Sequence, residues 1–292
     1  MSRIVSEELL EQARSRFESG EFRRCWELAR DGLAEHPDDV GLLRLAGRAG
    51  LELDEEGALD YLQKAAGVAP EDAEVLRDLA EAFVLDGRTG DAVEVLQRAV
   101  QLRPDDVAAL VDLAHVTHAS GGVRVAIGYL EHALELDFNN LTALRGLVGM
   151  YRESGRLDDA LAAGRKVISY RPEDVATAID VAELTLELNR FAEAVEAFRW
   201  LRDVDDEPDH EVYAVHGMIE VEMRRERWRP ALDLAVEATR VDRYGRTTDI
   251  LAYVVTQVFG AGDRPAPSRR DVDDGLAASR NEHRRLHTAL GI

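Results

Sequence analysis

The sequence predicts an all-α chain, an α-solenoid of about seven to eight stacked helix–turn–helix units. Three observations carry this. One stretch is written twice. AVEVLQRAVQLRPDD (92–106) is followed 34 residues on by AIGYLEHALELDFNN (126–140), so that Ala92 answers Ala126, Leu96 answers Leu130 and Ala99 answers Ala133. A small residue then recurs at Cys25, Ala58, Ala92, Ala126, Ala160, Ala194 and Ala231, in steps of 33, 34, 34, 34, 34 and 37. Two further series keep the same phase: Ala13, Ala46, Ala80, Ala114, Val148, Ala182, and the prolines Pro37, Pro70, Pro104 and Pro172, with Phe138 where one proline is missing. A fixed period of this length, with small and apolar residues in one phase, marks a helical repeat array whose units pack on their neighbours.

Each unit reads as two helices. Gly20, Gly87, Gly121, Gly155 and Asn189 fall between the first and second helix of their units. Glycine, and less often asparagine, tolerates the left-handed conformation that ends a helix. Between units stand Pro37-Asp38-Asp39, Pro70-Glu71-Asp72, Pro104-Asp105-Asp106 and Pro172-Glu173-Asp174. The proline stops one helix and the acid is placed to cap the next. Three places depart from the pattern. The turn after Pro37 reads as one residue short, altering how unit one sits on unit two. Asp205–His210 carries three extra residues, which would displace or rotate unit seven. Thr247–Phe259 reads as the first helix of an eighth unit, but Gly260–Pro267 then replaces the tight turn. A last helix from about Arg269, with Val272, Leu276, Leu286 and Leu290 as its apolar stripe, is expected to cap the open end. The expected division is an array over 6–259, a linker over 260–268 and a capping helix over 269–292.

These residues resemble the tetratricopeptide repeat family, over about Ser6 to Phe259. In the third unit Leu76, Leu79, Ala80, Phe83, Ala92, Leu96, Ala99 and Pro104 occupy the family's signature positions. The small residues let the two helices of a unit approach, and the larger ones fill the space between units. The resemblance implies a right-handed superhelix whose first helices line a concave surface on which peptide ligands lie. Positions 2, 5, 9 and 12 of each unit are implied to face it. They give Glu74, Arg77, Glu81, Val84; Ala108, Val111, His115, His118; Thr142, Arg145, Gly149, Arg152; Ala176, Ile179, Glu183, Leu186; and Tyr213, His216, Glu220, Met223. The candidate partner-binding residues are Arg77, Glu81, His115, His118, Arg145, Arg152, Glu183 and His216. Guanidinium forks such as Arg77, Arg145 and Arg152 suit a carboxylate or phosphate. Chaperone-binding members of the family grip a C-terminal carboxylate with lysine and asparagine. The corresponding places here hold Leu10 and Arg14, then Leu43 and Gly47, so that clamp is not expected.

Composition narrows the function. The net charge of −21 repels phosphate backbones and argues against nucleic-acid binding. Only Lys64 and Lys166 are lysines among 36 basic residues, a bias that a GC-rich genome or a salt-adapted surface would both produce. No apolar run approaches the length of a membrane span, and the first eight residues hold no hydrophobic signal core, so the expectation is a cytoplasmic chain without membrane contact. Cys25 falls at a small-residue position and reads as a buried filler. There is no phosphate-cradling glycine loop, no HExxH, no CxxC and no nucleophile elbow, so no catalytic residue, metal or cofactor is assigned. His283 and His287 share one face of the last helix but have no third ligand beside them. From Arg264 onward six arginines stand against four acids, a basic tail that pairs with the acidic body or docks an acidic partner.

The expected function is a non-catalytic scaffold or adaptor that binds a peptide or protein on its concave surface. Alternatives are a non-catalytic subunit of an enzyme or other complex, and a helical-repeat RNA binder, which the charge and the scarcity of groove aromatics count against. Self-association through the array ends or the C-terminal helix is a further expectation.

Overall fold

The computed structural model describes residues 2–204, 208–242 and 247–259, and among them it contains fifteen α-helices and no strand. Fourteen of the helices form seven consecutive hairpins, and a fifteenth follows, as the repeat count requires. The chain divides into two compact units, Met1–Gly146 and Leu147–Ile292, with the boundary inside the ninth helix. The expected linker over 260–268, the capping helix over 269–292, the His283–His287 pair and the basic tail lie outside the described residues.

Unit one holds α1 (Ser2–Glu18) with α2 (Phe22–Glu35), α3 (Val40–Glu52) with α4 (Ala58–Val68), α5 (Ala73–Leu85) with α6 (Thr89–Leu102), and α7 (Val107–Ala119) with α8 (Val123–Leu136). The next hairpin opens with α9 (Leu141–Glu153). Unit two continues with α10 (Leu157–Tyr170), α11 (Val175–Glu187), α12 (Phe191–Asp203), α13 (Pro208–Arg224), α14 (Trp228–Val241) and α15 (Thr248–Phe259). The small-residue series marks the closest packing. Cys25, Ala92, Ala126, Ala160, Ala194 and Ala231 are all fully buried, as are Ala13, Ala46, Ala114 and Ala182. Around them the larger apolar side chains fill the gaps: Leu62, Leu79, Phe83, Leu96 and Leu113 in unit one, and Phe198, Leu201, Tyr213, Ile219 and Met223 in unit two. Cys25 is filler, as expected: burial pushes its thiol up to about 11 against the opposing pull of Arg48, so it is protonated and inert near neutral pH.

The turns follow the capping chemistry. Asp39, Asp72, Asp106 and Asp174 each accept from a backbone N–H in the first turn of α3, α5, α7 and α11. Where the proline is missing, Asn140 does the same for α9, receiving the Ala143 N–H at 3.0 Å. At the other end of those helices Gly87, Gly121, Gly155 and Asn189 have positive φ. The seventh hairpin has Glu226 at that place, with φ +55°.

Two irregularities resolve differently from expectation. The stretch from Pro37 to the start of α3 is as long as its counterparts after Pro70 and Pro104. The missing residue is taken from the α3–α4 connection: Leu85 and Ala92 are seven positions apart, but Glu52 and Ala58 only six. The shortened connection draws α3 onto α4, and glycines make room. A methyl on Gly47 would lie 2.4 Å from Leu62 Cγ, and one on Gly50 would lie 2.9 Å from Ala58 Cβ. The three extra residues before the seventh hairpin go into α13, which is 17 residues long where α11 is 13.

The left-handed turns give a test. A residue with a Cβ pays roughly 1 kcal/mol in that conformation. Glu226→Gly is therefore expected to stabilise the chain by about 1 kcal/mol and Gly87→Ala to destabilise it by about the same, read from urea unfolding followed by circular dichroism.

Candidate functional site

The inner face of unit one is built by the first helices of its hairpins. Their register follows from the caps. Counting from Asp72 and Asp106, the fifth positions are Arg77 and Val111 and the ninth are Glu81 and His115. Counting from Asp39, they are Arg44 and Arg48. The small-residue series put Leu43 and Gly47 there, one residue out, because the shortfall lies after α3 and not before it. Both of those residues are buried. In unit two of the repeat series the inner face thus carries two arginines that the sequence reading passed over.

These side chains line an open cleft of about 900 Å³ across α3, α5 and α7, walled by Arg44, Arg48, Glu74, Arg77, Asp78, Glu81, Val84, Asp112 and His115. A second hollow of about 690 Å³ continues from it toward α1 through the shared residues Arg44, Arg48 and Glu74, and adds Leu10, Phe17, Phe22 and Leu45. Charged groups run along both hollows, since Arg14, Glu18 and Glu52 also line the second, and the apolar groups gather at Leu10, Phe17 and Phe22. Arg48 stands at the border, its guanidinium 4.5 Å from the centre of the Phe17 ring and 3.6 Å from Asp78 Oδ1.

The arginines of this face join one repeat to the next. Arg44 donates from Nε to Asp78 Oδ2 at 2.6 Å and from Nη1 to Glu74 at 2.8 Å. Burial works against its charge, but Asp78 and Glu74 outweigh that and hold its pKa above the ordinary value. Arg77 repeats the device one unit on, with Nε and Nη2 both 2.8 Å from Asp112 Oδ2. The remaining titratable groups are shaped by the cleft itself. Partial loss of water raises the carboxyl pKa of Glu81; Arg48 opposes this, while Asp78, Glu52 and Asp112 add to it. His115 is lowered, chiefly by the same loss of water and further by His118, against the pull of Asp112.

His118 is half-buried in the last turn of α7, and Arg145 is exposed on α9. In unit two Arg152 reaches forward to α11. Its Nη1 donates to Glu183 Oε2 at 2.8 Å and lies 3.8 Å from Asp180, and its Nη2 is bonded to Glu187. Glu183 is buried and also accepts from the Tyr213 hydroxyl at 2.8 Å. His216 is buried too. Its Nε2 lies 2.9 Å from Thr247 Oγ1, and that hydroxyl donates to Asp242 Oδ2 at 2.8 Å, which leaves Nε2 to act as the donor. The eight sequence-chosen residues thus divide. Arg77, Glu81 and His115 meet in the cleft, and His118 follows on α7. Arg145 and Arg152 sit on α9, and Glu183 and His216 lie beneath the surface of unit two. The sequence reading missed Arg44, Arg48, Asp78 and Asp112. The signal for the first two was the cap at Asp39. The carboxylates were legible only as the sixth position, next to the arginine position of each unit.

Among the described residues no group of three or more His, Cys, Asp or Glu could hold a metal ion, and no helix is long and apolar enough to cross a membrane.

The sequence model described as tetratricopeptide repeat matches residues 54–107 and 111–175. No curated protein matches the sequence. Among known structures, pilF of Pseudomonas aeruginosa is 15% identical, with 69% of this chain and 92% of that one covered and a TM-score of 0.61. PilW, described as a widely conserved type IV pilus biogenesis factor, is 18% identical over 68% and 92%, also at 0.61. A tetratricopeptide repeat protein from Parabacteroides merdae is 16% identical over 84% and 97%, at 0.57. At these identities the likeness is one of fold.

Two outcomes test the electrostatics. Removing Arg152 strands a buried carboxylate, whereas Asp112 stays hydrated without Arg77. Arg152→Met is expected to cost about 2–3 kcal/mol and Arg77→Met under about 1 kcal/mol in urea unfolding. His115 binds its proton more weakly folded than unfolded. Stability is therefore expected to fall as the pH drops from the unfolded value of 6.5 through the lowered one, with no further change below it. His115→Gln removes that slope, and Asp112→Asn moves the imidazole proton NMR titration further down.

Proposed function

We propose that this chain, which matches the tetratricopeptide-repeat model over residues 54–107 and 111–175, is a non-catalytic protein-interaction adaptor whose inner face on unit one is the docking surface for a peptide or protein segment. The observation that carries this is the pair of hollows that runs from the apolar cluster at Leu10 and Phe17, with charged groups beside it, to Glu81, Asp112 and His115. The open side of this face mixes apolar area with polar groups that fix orientation, which is the composition of a recognition surface. Its backbone is helical and capped, so little ordering of the scaffold accompanies binding.

Within the proposal Arg77, Glu81, His115, His118 and Arg145 contact the partner. In unit two, taken by itself, Arg152 is held from beneath by Glu183 and His216 braces α13 through Thr247, so these three act on that unit's own face. No step of chemistry is assigned to any of them: the titratable groups lie in ion-pair ladders along an open face and do not converge on one reacting atom. The same proposal takes 6–259 as the array, 260–268 as a linker and 269–292 as its cap.

Val84 lines the cleft from an exposed position on α5, so added bulk there enters the groove and not the core. Val84→Trp is expected to weaken capture of the natural partner, isolated from source-cell lysate with wild-type chain as bait, by about tenfold or more. Its helical circular dichroism and melting curve are expected to match wild type. Undiminished capture by the variant removes the cleft from the docking surface.

A further inference from the structure

The charges of the unit-one face are unevenly committed. Arg44 and Arg77 each hold a carboxylate of the following repeat. An anionic ligand would have to take a guanidinium from a partner that is already in place. For Arg44 that partner is Asp78, which is buried, and a buried carboxylate without its cation is costly. The carboxylates are in surplus. Glu81 is exposed one turn beyond Arg77 and forms no ion pair, and Glu52, at the end of α3, forms none either. Arg48, between the two hollows, is shared with Phe17 and Asp78. Loss of water chiefly raises the Glu81 pKa, Arg48 opposes it, and the like charges of Asp78, Glu52 and Asp112 add to it, a repulsion that a cation placed there would relieve.

Resting on the docking reading above, we propose that the segment received by this cleft is cationic, presenting Lys or Arg side chains to Glu52 and Glu81 and apolar side chains to the Leu10–Phe17 end. The ion-pair ladder supplies a near-neutral wall, and carboxylates outside it, Glu52 and Glu81 among them, supply the recognition. Specificity follows from both parts: a cation finds free acceptors, while an anion meets only spent donors. The neutral imidazole of His115 contributes no opposing charge near neutral pH.

The test uses the full chain and fluorescein-labelled peptides built from one Leu-Xaa-Ser triplet, with Arg, Glu or Gln at Xaa, read by fluorescence anisotropy. The arginine peptide is expected to bind more tightly than the other two. Glu52→Gln/Glu81→Gln is expected to weaken it about tenfold. Glu94→Gln/Glu135→Gln removes the same charge from exposed sites on the second helices α6 and α8 and is expected to leave it within about twofold. Equal losses in the two double variants mean that net charge alone attracts the probe and overturn the proposal. So does an arginine peptide that fails to bind. A glutamate peptide that binds as tightly, and is blocked by Val84→Trp, overturns the cation assignment but keeps the cleft as the docking surface. Binding of the arginine peptide that Val84→Trp leaves intact overturns the docking reading itself.

Discussion

The close approach of two helices at a small residue is the constraint on which the rest of this molecule depends. Every hairpin closes at an alanine, or at Cys25 in the first, that is almost wholly withdrawn from water. A larger side chain there would push the second helix off the first. It would also open the layer that Leu62, Leu96 or Phe198 fills between hairpins. Because each hairpin packs chiefly on the one before and the one after, an error at one alanine propagates only to its neighbours. This explains why the period survives while the residues between its fixed points drift.

The second hairpin shows how strictly that closure is kept. One residue has been lost between Glu52 and Ala58, and the chain has not kept the geometry by bending elsewhere. It has shortened α4 to 11 residues and brought α3 onto it through Gly47 and Gly50. The second helix surrendered its first turn, and the small-residue contact stayed. The extra residues ahead of the seventh hairpin went the other way, into the length of α13.

These two adjustments mark where the sequence was legible. Repeat length, hairpin count, caps and left-handed turns could all be read, since each depends on residues close in the chain: Asp72 caps the helix it precedes, and Gly87 ends the helix it follows. The register of α3 was misread because Ala46 looked like the fixed point. The cap, Asp39, was the true origin, and Arg44 and Arg48 count correctly from it. The ion pairs were not legible. Arg77 and Asp112 are 35 residues apart and Arg44 and Asp78 34, so the arginines read singly as free donors although each was already satisfied by the next repeat.

The same positions in the repeat therefore serve different ends in the two units. In unit one they are occupied by Glu74, Glu81 and His115, which stay exposed along an open cleft. In unit two they are occupied by Ile179, Glu183, Leu186, Tyr213, His216 and Met223, all buried. The difference begins in side-chain chemistry. Apolar groups at these places gain from leaving water, and they draw Glu183 and His216 in with them. The polar pair is then satisfied from within, by Arg152 and Tyr213 for the acid and by Thr247 for the imidazole. A face that must satisfy its own polar atoms is rigid and has little left to offer a ligand. One whose arginines are spent and whose outer carboxylates are not has a charge preference built into the same scaffold. Position within the repeat decides where a side chain points. What its neighbours in the next repeat leave unpaired decides what it can bind.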